Sequence, residues 1–296
     1  MASSIVCAVD DSPHARAAAR LTADLAQRLG LAPIAVHAYL IAARRAARAR
    51  YPVLPVQDHL AEEQRSATQR ATQILSSADV RDIPVHAELG AVAQVVTAVA
   101  EEEDAALIAL RTRGPGALRS LLRGSVAATL FRISQVPVLV VPSAALAAAP
   151  RRGPVVAAVG NPSDAGWIRV AEMLARAYEV PLLLAHVLVD GVEAAGGPRQ
   201  AGVLAAHRAF DPALGVLTDA AVAVKSRVCS GAPGDALLAL AKEVDAHLIV
   251  SGTRGRGALH AGLSGSTARQ LACHARTPVA VCPPRLRQNA TLLRAA

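Results

Sequence analysis

The feature that most constrains this chain is an internal duplication. Residues 107–142 and 248–283 align without a gap, 141 positions apart, and share 17 identities in 36. The chain has 296 residues, about twice a usual domain of roughly 100–200. Two related domains are therefore expected, at 1–145 and 153–284. Residues 146–152 would form the linker, since Pro142 to Pro154 reads PSAALAAAPRRGP, and 285–296 a C-terminal tail.

The repeat carries a glycine pattern that differs between its copies. The second reads Gly252, Gly255, Gly265, Ser266, or G-x2-G-x9-G-[ST]; the first keeps Gly114, Gly124 and Ser125 but has Arg111 where the leading glycine belongs. Residues without side chains let a backbone turn tightly and approach a ligand. A Gly-Ser step that opens a helix presents unpaired N–H groups to an anion. This is chemistry suited to phosphate, and it is complete only in the second copy.

Around these loops the hydrophobic pattern alternates between two periods. Short β-branched runs at Ile5–Val9, Ile34–Ala38, Val85–Leu89, Ala105–Leu110 and Val138–Val141 read as strands. Helical spacing recurs at Ala17–Leu29, Glu62–Ser77, Ala91–Glu102 and Ser125–Ser134. The second half repeats the strands at Val155–Val159, Leu182–Val187, Val222–Val228, Ala246–Ser251 and Val279–Cys282. Strands joined through helices by short connections must run parallel, so the fold class is α/β, two tandem doubly wound five-stranded parallel sheets. In such sheets ligands bind beyond the carboxyl ends of the strands. Asp10, the residue after His37 and the glycine loop all fall there. Residues 42–57 and 190–218 carry no clear period.

Composition narrows the function classes. Apolar residues make up 53% and aromatics 2%, so the cores must be built from Ala, Val, Leu and Ile. Net charge is +8, almost entirely from arginine, since Lys225 and Lys242 are the only lysines. The cluster Arg44, Arg45, Arg48, Arg50 has no aromatic interleaving and no reading helix, so nucleic acid is not the expected partner. The cysteines Cys7, Cys229, Cys273 and Cys282 lack metal-ligand spacing and read as reduced thiols. No G-x4-G-K-[ST], G-x-S-x-G or H-E-x-x-H segment occurs, so no catalytic residue is assigned and the chain is not expected to be an enzyme. The start leads directly into a strand, and the longest uncharged run is broken by Pro137 and Pro142; a cytoplasmic protein with no membrane partner is expected.

Taken together, the strand ending in Val9-Asp10, the His37 strand, Gly90 before a helix and the glycine loop followed by Pro137-Val138 resemble a universal stress protein of the tandem type. The resemblance covers both halves. It implies ATP as ligand, alone or with Mg2+, held by the aspartate closing the first strand, by backbone after the second strand, and by the glycine loop around the phosphates. Carried over to the second half, it points to Gly252, Arg254, Gly255, Gly257, Gly265, Ser266 and Thr267, with Val187 on the adenine side and Gly160 in place of the aspartate. In the first half it matches Asp10, Ala38, Gly114, Gly124 and Ser125, with Arg111 as the departure. It also implies that the last strand of each half pairs with the other, an intramolecular pseudo-dimer, with a homodimer as a further possibility.

A bulky residue in a loop that must bring amides to phosphate weakens a site more than the loss of one ribose contact, so the second half is the expected ATP site. Arg111 is expected to reach Asp10 and occupy the first pocket as an ion pair. His37 and His186 are expected as packed, hydrogen-bonded core residues, Ser12 and Ser163 as helix caps, and Trp167 and Phe131 as packing. The leading reading is ligand-dependent stress signalling with an unidentified protein partner. A scaffold that binds no nucleotide is the rival, and nucleic-acid binding through the basic cluster ranks third.

Overall fold

Among the described residues ten strands form one sheet, most of them apolar runs covered by helices, and neither half leaves its last strand at an edge. The computed structural model describes residues 3–12, 14–39, 56–112, 126–142, 152–160, 165–189, 208–218, 221–253, 266–283 and 286. In the first half the elements are β1 (Ser4–Ala8), α1 (Ala15–Leu29), β2 (Ala32–Tyr39), α2 (Val56–Ser77), β3 (Val85–Leu89), α3 (Val92–Glu102), β4 (Ala105–Thr112), α4 (Val126–Ile133) and β5 (Val138–Pro142). The second half has β6 (Val155–Ala158), α5 (Ala165–Ala177), β7 (Leu182–Leu188), α6 (Asp211–Leu214), β8 (Val224–Ser230), α7 (Pro233–Glu243), β9 (Leu248–Gly252), α8 (Ser266–His274) and β10 (Val279–Cys282).

The strand order is β3-β2-β1-β4-β5-β10-β9-β6-β7-β8. Every pairing within a half is parallel, and the halves meet where β5 and β10 run antiparallel, with Leu139 opposite Ala280. The final strands thus cover each other's edges. Both are fully buried, whereas β8, at the outer edge, is mostly exposed.

One apolar core runs under both halves on the α1 and α5 face, from Leu107 and Leu139 to Ile168 and Leu184. On the opposite face each half has its own cluster, and Phe131 packs against both. Between α1 and α5, Arg28 Nη1 donates to the Ala177 carbonyl at 3.3 Å, and its guanidinium lies 5.1 Å from the centre of the Tyr178 ring. Gly153 fits where it does because a Cβ would run into the carbonyls of Val244 and Asp245.

Several boundaries differ from the sequence reading. β4 continues to Thr112 and β9 to Gly252, so Arg111 and Gly252 are strand residues, paired with Val141 and Cys282, and do not open a loop. The third strand of the second half is displaced to Val224–Ser230, because an exposed edge strand has no sharp apolar boundary to read. The Arg44 to Arg50 cluster lies outside the described residues.

Candidate functional site

In each half the chain order reverses at one place, between β1 and β4 and between β6 and β9. Such a reversal opens a crevice at the strands' carboxyl ends. Asp10 follows β1 and Arg111 ends β4, so they flank the first crevice; Gly160 and Gly252 flank the second at the same positions. Ala38 and Val187 lie near the ends of β2 and β7. Gly114, Gly124, Ser125, Arg254, Gly255, Gly257 and Gly265 lie outside the described residues, as does Ser163. Ser266 and Thr267 open α8.

The strand ends are fixed the same way in both halves. His37 Nδ1 lies 2.9 Å from the Val9 carbonyl, and His186 Nδ1 lies 2.9 Å from the Val159 carbonyl. A carbonyl only accepts, so Nδ1 carries the proton in each ring. These histidines staple the backbone that leads to Asp10 and to Gly160. His37 is 5% exposed, and its Nε2 stands 3.6 Å from Asp11 Oδ1, which Arg70 Nε also approaches at 3.3 Å.

The two crevices then diverge. In the first, Asp10 Oδ1 accepts from the Ser12 backbone N–H at 3.1 Å and from its hydroxyl at 2.6 Å, while Oδ2 stands 3.5 Å from Arg111 Nη2. The Arg111 side chain is only 9% exposed, so it lies across the strand ends and does not extend into water. Ser12 is not the cap of α1. His14 occupies that position without a side-chain cap bond, and the Ser12 hydroxyl donates to Asp10 instead.

In the second crevice the space beside the strand is taken from the helix side. A Cβ on Gly252 would stand 3.0 Å from Trp167 Nε1 and 3.3 Å from its Cδ1. Trp167 is buried in the third position of α5, and its Nε1 has no hydrogen-bond partner among the described residues. The Thr253 hydroxyl is likewise buried without one, while the Thr253 backbone N–H donates to the Cys282 carbonyl at 3.0 Å. Both helices end in the same left-handed turn, at Gly30 and Glu179. Counted back from it, Trp167 holds the position that Ala18 holds in α1. At equivalent positions the first half thus has a large strand residue and a small helix residue, Arg111 and Ala18, and the second the reverse, Gly252 and Trp167. Sequence reading missed this exchange, although the one tryptophan of the chain was its signal.

Among the described residues no group of three or more His, Cys, Asp or Glu side chains is arranged to hold a metal ion, and no helix is long and apolar enough to cross a membrane. All four cysteines are free. Burial pushes the Cys7 thiol up to about 11 against a lowering contact from Thr22, and burial alone raises Cys282.

The model of the universal stress protein family matches this chain twice, over 1–142 and 152–283. The chain belongs to the universal stress protein family. Universal stress protein Rv2623 of Mycobacterium tuberculosis is 30% identical over 290 residues, covering 94% of this chain and 95% of the relative. A universal stress protein of Mycolicibacterium smegmatis is 29% identical over 239 residues, covering 76% and 78%. Among solved structures, a universal stress protein from Archaeoglobus fulgidus superposes with a TM-score of 0.61 at 18% identity, covering 95% of this chain and 96% of its own, and shares the fold.

Proposed function

We propose that this universal stress protein is a nucleotide-dependent regulatory module that holds one ATP, in its second half, and acts by binding and not by turnover. The observation that carries the reading is the contrast at the two crevices. In the first, Arg111 and Ser12 already engage the Asp10 carboxylate, so a ribose or a phosphate there has to compete with an ion pair and two hydrogen bonds. In the second, both flanking positions are glycine and no ion pair can form between them.

On this reading Val187 and Gly160 border the base and ribose, and Gly252, Arg254, Gly255, Gly257, Gly265, Ser266 and Thr267 receive the phosphates. The positive end of α8 and the Arg254 guanidinium supply charge to an anion. When bound, ATP supplies the negative charge that distinguishes the loaded protein from the empty one, and the protein partner reads that difference. The second half lacks the carboxylate at position 160, so one ribose contact is forfeited and affinity is lower by about 1–3 kcal/mol than with an acid there.

Calorimetric titration of the full chain with ATP tests this, with an expected stoichiometry of one. Arg254→Ala weakens binding, and Arg111→Gly moves the stoichiometry toward two. Two sites in the unaltered chain, or loss of binding on Arg111→Gly, would refute the assignment. The rival, a scaffold without nucleotide, draws on the occupation of the Gly252 face by Trp167. It is the outcome if no heat of binding is found.

A further inference from the structure

We infer that Trp167 is a ligand-contacting residue of the second crevice, its indole N–H donating to a phosphate oxygen of the nucleotide, with the Thr253 hydroxyl as a second donor. This rests on the reading that ATP binds the second half. Indole nitrogen can only donate, so a buried Nε1 without a partner is satisfied by an acceptor and by nothing else. Trp167 is 6% exposed and its Nε1 has no partner among the described residues. It is aimed at the last residue of β9, Gly252, at 3.0 Å from where a Cβ would stand.

The adjoining residue repeats the observation. Thr253 is tied by its backbone to Cys282, and its hydroxyl is buried without a partner among the described residues. Among those residues two unanswered donors thus lie at one strand end, beside the topological reversal where this fold class places ligands. In the first half no such donor comes from the helix: Ala18 stands in the equivalent helix position, and the guanidinium of Arg111 approaches Asp10 from the strand. The Gly252 position therefore makes room for a donor from the helix, and that donor, with the bare backbone, is what meets the anion.

Because Trp167 is the only tryptophan, its emission reads this site alone. The full-length chain is titrated with ATP while bound nucleotide is counted independently by equilibrium dialysis. The emission is expected to change and saturate at the same midpoint as the dialysis curve. Tripolyphosphate should reproduce the change and adenosine should not. Trp167→Phe keeps a ring in the core and loses the donor; it should raise the Kd for ATP by about tenfold, the worth of a hydrogen bond to a charged group, and Thr253→Val by several-fold. ATP bound with unaltered emission, or with the wild-type Kd in Trp167→Phe, overturns the role of Trp167 and leaves the ATP reading standing. A response to adenosine and not to tripolyphosphate overturns the phosphate assignment. No bound ATP in the dialysis removes both.

Discussion

Side chains at the strand ends set the two halves apart, through volume as much as charge. Gly252 and Trp167 share one space, and the equivalent positions in the other half hold Arg111 and Ala18. An arginine introduced at Gly252 alone meets the indole and lowers stability by about 1–3 kcal/mol, as overpacking does. Trp167→Ala alone leaves a cavity and lowers it by about 3–5 kcal/mol. The double variant is expected to lose less than the sum, with a coupling of about 0.5–3 kcal/mol in urea denaturation. Strict additivity would show that the two residues do not share the space. A second residue-scale effect concerns pH. Cys7 titrates at about 11 in the fold against 9.0 in its absence, so above pH 9 the unfolded chain releases a proton that the folded chain retains. The contribution of Cys7 is then fully present below pH 9 and falls by about 1.4 kcal/mol per pH unit between 9 and 11, and the buried Cys282 adds a decline of the same sign. Cys7→Ala should reduce that part of the slope in a denaturation-against-pH series by about 1.4 kcal/mol per pH unit.

At the level of elements, the ten strands were legible because buried parallel strands read as unbroken Val, Ile, Leu and Ala runs, as Ile5–Val9 and Val138–Val141 do. The edge strand β8 was misplaced, since Lys225, Ser226 and Arg227 are exposed and blur its start. The site was legible in its framework and not in its filling. The histidine staples at His37 and His186 and the approach of Arg111 to Asp10 follow from strand positions alone. The Trp167 contact follows from the register of a helix on a sheet, which local periodicity does not encode. The same limit hid the turn that draws Ser12 to Asp10 and away from the helix end. Where β5 and β10 meet, Leu139 is fully buried opposite Ala280. Leu139→Ala should cost about 2–5 kcal/mol, measured by chemical denaturation, and a loss below 1 kcal/mol would mean the site collapses around the deletion.

Across the whole molecule, the core on the α1 and α5 face belongs to both halves, and so does the central pair of strands. An isolated half would expose β5 or β10 as a long apolar edge, so the intact chain, with point substitutions, is the proper object for binding studies. The antiparallel seam has one more consequence. Two identical subunits assembled around a symmetry axis must carry identical crevices, because any substitution appears in both. Here each crevice is encoded separately, so one can hold Asp10 and Arg111 while the other holds Gly160 and Gly252. Fusing the partners into one polypeptide frees each crevice to carry its own residues, so that a single molecule can present two unlike faces.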